Sequence, residues 1–211
     1  MPPTVNARIP LSLLEAVRRK DTPETDTEEE EYVQELRNKR LGLSDTVYQQ
    51  IKRYSDAAKK GQGIPYAEVT GLGTLIGRRP DAEELFENAG RILANDVYAT
   101  ISGALRKTIH MVPSVVARPL ALSRVRQFAA RHFGGTLTRS GSSLALSVTD
   151  SVTVNSGPGS VGCTYYASAL RELLRLLMNG AASIDHVSCL QRGDKRCEWR
   201  ADWRNQQSEA A

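Results

Sequence analysis

Residues 182–204 read ASIDHVSCLQRGDKRCEWRADWR, and this stretch predicts how the C-terminal half of the chain folds. Apolar and polar residues alternate on both sides of Arg192-Gly193-Asp194, which is typical of a β-hairpin with a Gly-Asp turn. With the glycine at the centre of the turn, Cys189 lies directly opposite Cys197. Opposed residues of a hairpin have Cβ atoms about 4.5–5.5 Å apart, so this register predicts two neighbouring thiols.

The same register pairs Val187 with Trp199 and leaves His186 on the other face of the hairpin. Alternate side chains of a strand share one face. The face that carries the two thiols is therefore expected to hold Asp185, Val187, Cys189, Cys197, Trp199 and Ala201.

A third cysteine, Cys163, precedes a strongly apolar segment that is predicted to be a helix over 164–179. We expect the three sulfurs to gather near the base of the hairpin. Three is an odd number and no secretory signal is present, so metal binding or plain burial is favoured over a disulfide. Structural zinc favours sulfur ligands, but no CxxC pair is present, and three buried cysteines acting as small apolar residues fit equally well.

Working outward, a second hairpin is predicted from alternating runs at 136–139 and 143–154, joined by Ser140-Gly141-Ser142. Helical periodicity predicts the surrounding helices. The predicted fold class is α+β: a four-stranded antiparallel sheet from two hairpins packed by helices, with an N-terminal helical extension. The helices expected to pack on the sheet are 80–105, 120–132 and 164–179.

The chain divides on composition into an N-terminal helical extension over 1–79, a domain over 80–204 and a disordered tail over 205–211. The acidic residues 21–31 are interpreted as a flexible linker because they cannot bury apolar area. The extension is either a small helical subdomain or an arm that docks on the domain or on a partner. Its predicted helices cover 10–20, 28–40 and 45–60, with a fourth beginning at Pro65.

The chain has 211 residues, a net charge of +4 and an ordinary hydrophobic content of 40%. No apolar run is long enough to span a membrane, so we expect a cytoplasmic protein.

Positive charge is concentrated between Val97 and Thr149, where seven basic residues and no acidic residue occur. Either this is a solvated face, or one that docks the acidic residues 24–31, or it binds an anionic partner. Few aromatic residues are interleaved with the basic ones, which disfavours nucleic acid as that partner. The residues expected to contact an anion are Arg106, Lys107, Arg124, Arg126 and Arg131.

A second group of side chains has the sparse polar character of a small-molecule pocket. The alternative is that these residues are satisfied members of the core. No GxSxG, Walker, HExxH or GxGxxG motif occurs, so a protein without catalytic activity is favoured. The candidate pocket residues are His110, Phe128, His132, Tyr165 and Tyr166.

Residues 80–204 resemble the 4-vinyl-reductase domain family, which includes a bacteriochlorophyll-biosynthesis protein and the sensor domains of phenol-responsive bacterial transcription activators. The resemblance rests on Cys163 before an apolar helix and on Cys189, the Arg192-Gly193-Asp194 turn, Cys197 and Trp199. The family is structurally related to subunits of the eukaryotic transport-protein-particle tether. Where many members place a glutamate, three residues before the first hairpin cysteine, this chain has His186.

The resemblance implies a pocket for a small apolar or aromatic ligand between the sheet and the helices, and zinc held by Cys163, Cys189 and Cys197. Asp185, one residue from the family's carboxylate position, is the candidate fourth ligand. The predicted function is binding or sensing of an apolar, carboxylated or tetrapyrrole-like molecule. The alternatives are a dimeric scaffold, as in the tether subunits, and an accessory protein or enzyme of bacteriochlorophyll synthesis. A homodimer or a partner protein is expected.

Overall fold

A computed structural model describes residues 3–22, 42, 44–141, 143–178 and 183–202. The predicted helix over 28–40 and the predicted disordered tail lie outside these ranges, as does most of the acidic segment. The described helices are α1 (Arg8–Asp21), α2 (Asp45–Lys59), α3 (Tyr66–Gly77), α4 (Ala82–Thr100), α5 (Gly103–Met111), α6 (Ser114–Phe128) and α7 (Thr164–Met178). The strands are β1 (Thr4–Asn6), β2 (Gly63–Pro65), β3 (Thr136–Ser140), β4 (Ser143–Val148), β5 (Ser183–Ser188) and β6 (Cys197–Asp202).

The α+β fold class is confirmed, with a four-stranded antiparallel sheet in the order β3-β4-β6-β5. The two predicted hairpins join through β4 and β6, which form the centre of the sheet. Leu146 lies opposite Trp199, and both side chains are fully buried. Because directly opposed residues share a face, this pair defines the inner face of the sheet. The outer face carries charged residues such as Arg200.

The apolar helix α7 covers the inner face, and α4 packs against α7 on the other side. Gly90 allows the close approach of α4, because a Cβ atom at this position would overlap the Tyr165 carbonyl oxygen. Ser168 of α7 donates a hydrogen bond of 2.6 Å to the carbonyl oxygen of Glu87. The α4–α7 pair therefore fixes where α7 begins, and with it the position of Cys163.

The first helix belongs to the same core as the sheet and α7. Ile9 and Leu13 of α1 are 1% exposed and Val17 is fully buried. The Tyr165 hydroxyl lies 3.0 Å from Ser12 Oγ. Since Ser12 itself donates to the Ile9 carbonyl oxygen, the tyrosine is the donor in that contact.

A buried carboxylate fixes the C-terminal end of α1. Asp21 accepts hydrogen bonds of 2.8 and 3.0 Å from the Arg79 guanidinium, which also binds Asp81. The hydrogen bonds that Arg79 donates to Asp81, and then those it donates to Asp21, raise the pKa of its guanidinium. This ion-pair network joins the end of α1 to the segment between α3 and α4. A two-stranded sheet of β1 and β2, which the sequence pattern did not predict, also joins the segment before α1 to the segment before α3.

Three predicted boundaries were wrong. The single helix over 80–105 is two helices, because the chain turns at Ile101 and Ser102 caps α5 by accepting from the Leu105 amide. The helix predicted over 120–132 begins earlier, at Ser114, with Pro119 inside it, and it is followed by a π-helical turn over Ala129–Phe133. The strand predicted over 143–154 ends at Val148. None of the described helices combines the length and apolar character needed to cross a membrane.

Candidate metal site

Three sulfurs and one imidazole meet beneath the C-terminal hairpin. The ligand atoms of Cys163, His186, Cys189 and Cys197 all lie within 4.8 Å of one another. The three cysteines are at most 2% exposed and none forms a disulfide. The predicted gathering of the three sulfurs is confirmed, and the residues can hold a metal ion.

Each cysteine comes from a different element of the fold. Cys163 ends a 3₁₀ turn over Pro158–Cys163, directly before α7. Cys189 follows β5, and Cys197 opens β6 opposite Val148 at the end of β4. The cluster therefore joins the start of α7 to both strands of the hairpin.

The prediction that His186 lies on the outer face was wrong, because β5 contains a bulge. His186 pairs with Trp199 and Ser188 pairs with Glu198, so Val187 is an extra residue without a partner in the ladder. A bulge shifts the alternation of side chains by one residue. Two inward residues three positions apart, His186 and Cys189, thereby reach the same face.

The bulge also changes the position of Asp185 and Val187, which were both predicted to lie on the inner face. Asp185 is exposed and pairs with Arg200 on the outer face, and Val187 is 42% exposed. The structure thus brings His186, and not Asp185, to the three sulfurs. His186 occupies the sequence position that holds a glutamate in many members of the resembling family, which is the signal that could have identified it.

Hydrogen bonds surround the sulfurs and fix the hairpin turn. Ser160, a non-glycine residue with a left-handed φ of 63°, has its Oγ 3.1 Å from Cys189 Sγ. The Leu190 amide donates to Cys197 Sγ at 3.4 Å. The Asp194 carboxylate accepts from the Cys189 amide at 2.6 Å. Donors to sulfur stabilise a thiolate, so the Leu190 amide suits a metal-bound form of Cys197.

The Cys163 and Cys197 thiols have pKa values shifted in opposite directions. The contact with Cys163, followed by those with His186 and the Leu190 amide, lowers the pKa of Cys197. The contact with Cys197, followed by burial, raises the pKa of Cys163. The thiolate form is the metal ligand, and the two opposite pKa shifts mean that Cys197 ionises more readily than Cys163.

The chemistry of the donor set fits a metal ion. Cys163 Sγ and Cys189 Sγ are 3.8 Å apart, and two sulfurs at the usual zinc distance of about 2.3 Å in a tetrahedral site are separated by about 3.8 Å. His186 Nε2 is buried, and the part of the chain that the structure describes offers it no hydrogen-bond partner. A buried nitrogen without a partner is costly, and a metal ion would satisfy it.

A ring stack orients the imidazole. The His186 ring lies 5.1 Å from the Trp199 ring at an interplanar angle of 11°, and the Tyr166 ring also stacks on the tryptophan, at 4.9 Å. Trp199 is fully buried. The stack leaves His186 little freedom to turn away from the sulfurs, so the site is preorganised.

Tyr165 and Tyr166, which were candidate pocket residues, belong to the aromatic core between α7 and the sheet. Burial raises the pKa of both phenols, and the Tyr166 hydroxyl accepts from the Val152 amide at 3.1 Å. Phe133 packs against both rings. Side chains of the protein thus occupy the space around these tyrosines, where the resemblance implies a ligand.

A cavity of about 230 Å³ lies instead among the helices, between the C-terminal end of α4, the start of α5, the end of α6 and α7. Of the candidate ligand and anion residues, those that line it are Arg124, Phe128, Arg131 and His132. The others lie elsewhere: His110 Nε2 is 3.3 Å from the Tyr98 hydroxyl, the Arg106 guanidinium stacks over the Tyr98 ring, and Lys107 and Arg126 are exposed.

No protein-family model and no curated protein matches the chain.

Proposed function

We propose that the protein is a non-catalytic domain that binds or senses a small molecule and whose C-terminal hairpin is held in place by a structural zinc ion. The observation that carries the metal assignment is the convergence of three buried sulfurs and one unpartnered imidazole nitrogen from separate elements. Four donors of this kind are typical of structural zinc, which favours tetrahedral sulfur and nitrogen ligands.

The proposed ligands are Cys163, His186, Cys189 and Cys197. A set of four protein ligands leaves no open position for water or substrate, which distinguishes structural from catalytic zinc. When bound, zinc supplies cross-linking and charge neutralisation to the thiolates. The residues themselves join the start of α7 to the hairpin, so that Trp199 and Tyr166 remain stacked.

The binding or sensing part of the proposal rests on the resemblance to 4-vinyl-reductase domains and on the cavity among the helices. Apolar and polar side chains both line the cavity, and small-molecule sites likewise use polar groups to orient a ligand against apolar surface. The sequence carries none of the catalytic motifs considered above, which favours binding over chemistry.

Elemental analysis of the purified protein tests the metal assignment. Wild-type protein is expected to hold about one zinc per chain, and Cys189→Ser much less, because three remaining ligands bind zinc more weakly. Ser188→Ala is the matched control, since it removes the neighbouring hydroxyl and leaves all four ligands. Equal zinc content in wild type and Cys189→Ser would exclude Cys189 as a ligand.

A further inference from the structure

The cavity among α4, α5, α6 and α7 is lined by both apolar and basic side chains. We call Arg124 and Arg131 its basic wall, and the apolar lining residues its apolar wall: Val97, Ile101, Leu105, Phe128 and Leu173. The polar residues at the cavity include Ser102, Arg124, Gln127, Arg131 and His132. A ligand that fits both walls must be amphipathic.

Among the described residues, no carboxylate pairs with the two arginines of the basic wall. Neither Arg124 nor Arg131 forms an ion pair there, and Arg124 donates instead to Gln127 Oε1 at 2.9 Å. The described residues that line the cavity include no acidic residue. Two guanidinium groups at a half-enclosed cavity attract an anion, and they match the geometry of a carboxylate.

Two further groups favour an anion at the same place. Ser102 stands at the N-terminus of α5, where the helix dipole attracts negative charge. His132 Nδ1 is buried and finds no hydrogen-bond partner among the described residues. Burial, followed by the charges of Arg8 and Arg131, lowers the pKa of His132 to about 4, so the ring is neutral at pH 7 and can donate or accept one hydrogen bond.

The size of the cavity limits the apolar part of the ligand. An engineered cavity of about 150 Å³ binds benzene, and this cavity is about 230 Å³. It can therefore hold a ring or a chain of about eight carbons together with a carboxylate. A tetrapyrrole is too large to enter.

We propose that this cavity binds a small amphipathic monocarboxylate, with its carboxylate at Arg124 and Arg131 and its apolar part against Leu105, Phe128 and Leu173. The inference deepens the ligand-binding part of the proposed function and does not depend on the metal site. It also places the ligand among the helices, away from the filled space between α7 and the sheet.

Calorimetric titration of the full chain with octanoate tests the proposal, with octanamide and inorganic phosphate as comparison probes. Octanamide keeps the chain and removes the charge, and phosphate keeps a charge and removes the chain. Octanoate is expected to bind at one site, and at least about tenfold more tightly than either comparison probe, because charged hydrogen bonds and apolar burial both contribute.

Substitutions then locate the site. Arg124→Gln is expected to weaken octanoate binding about tenfold, and Arg131→Gln less, because Arg131 is more exposed. Arg126→Gln is the matched control: it removes the same charge from the same helix at an exposed position outside the cavity. Leu105→Phe is expected to abolish binding by filling the apolar wall. Unchanged zinc content and circular dichroism in each variant show that the fold is retained.

Any of three results would overturn the inference: octanamide or phosphate binding as tightly as octanoate, Arg126→Gln weakening binding as much as Arg124→Gln, or no binding of octanoate to wild type. A small molecule without a carboxylate, found in freshly purified protein by native mass spectrometry together with no octanoate binding, would refute the carboxylate assignment while supporting the proposed ligand-binding function. The zinc content of Cys189→Ser tests the metal site separately, and none of these binding outcomes changes the result expected there.

Discussion

Removal of the metal by a strong chelator is expected to lower the free energy of unfolding by at least about 4 kcal/mol, because a ligand present at about a thousand times its Kd stabilises the native state by that amount. Structural zinc binds zinc-finger peptides with about 10–16 kcal/mol, so the proposed site has ample affinity for this effect. For a chain of this length, about 4 kcal/mol corresponds to a fall in Tm of roughly 8–16 °C.

The structural reason is the position of the four ligands. Without a metal, the buried Cys163, Cys189 and Cys197 lose the bond that joins them, and His186 Nε2 remains buried without a partner. Thermal unfolding, followed by circular dichroism with and without chelator, measures the change. The Cys189→Ser variant is the control, because its Tm should fall without chelator and respond little to it. Identical wild-type melting curves with and without chelator would argue against a stabilising metal.

The second large effect is expected from Gly77, the last residue of α3. A Cβ atom at this position would overlap the carbonyl oxygen of Ser156, in the segment that leads towards Cys163. Backbone cannot move aside as a flexible side chain can. We therefore expect Gly77→Ala to destabilise the protein by about 3 kcal/mol or more, at the upper end of the range for overpacking.

Gly71, in the same helix, provides the matched control. It is exposed, and a Cβ atom there would meet nothing within 4 Å. Since alanine is favoured over glycine in a helix interior, Gly71→Ala is expected to stabilise the protein by about 0.5–1 kcal/mol. Urea unfolding of the two variants beside wild type measures both effects. If Gly77→Ala were as stable as wild type, α3 would not pack against the Ser156 backbone as described.

The sequence was sufficient to predict the sheet because its inner residues alternate so regularly. Leu144, Leu146 and Val148 on β4 face Ala201, Trp199 and Cys197 on β6, and both runs show period 2 in the printed sequence. The same reasoning predicted the pairing of Cys189 and Cys197, because a hairpin turn near Gly193 places these two residues opposite each other. Gly193 has a left-handed φ of 90°, which glycine adopts without strain.

The fourth member of the cluster could not be found from alternation, because a single bulge at Val187 reverses the face of every residue before it. A bulge has no sequence signature as distinct as a turn glycine, and it exchanged Asp185 for His186 at the inner face. In the same way, the pocket assigned to Tyr165 and Tyr166 was an interpretation of residue type, and both rings fill the core.

The observed helix boundaries differ from the predicted ones where a local capping hydrogen bond interrupts a continuous apolar pattern. The apolar stripe continues from α4 into α5, so periodicity alone predicted one helix. Ser102 interrupts it, because its side chain accepts a hydrogen bond from the Leu105 amide and begins a new helix. The residues of this turn, Ile101 and Ser102, line the cavity among the helices. Its basic wall consists of Arg124 and Arg131, which the charge distribution in the sequence also indicated as anion-binding candidates.

X-ray absorption at the zinc edge tests the central claim most directly, combined with the metal content of His186→Ala and Asp185→Ala. We expect scattering from three sulfurs at about 2.3 Å and one nitrogen at about 2.0–2.1 Å, with the nitrogen contribution and most of the zinc lost in His186→Ala and both retained in Asp185→Ala. Zinc without sulfur neighbours, or a metal content that falls in Asp185→Ala and not in His186→Ala, would contradict the proposed site.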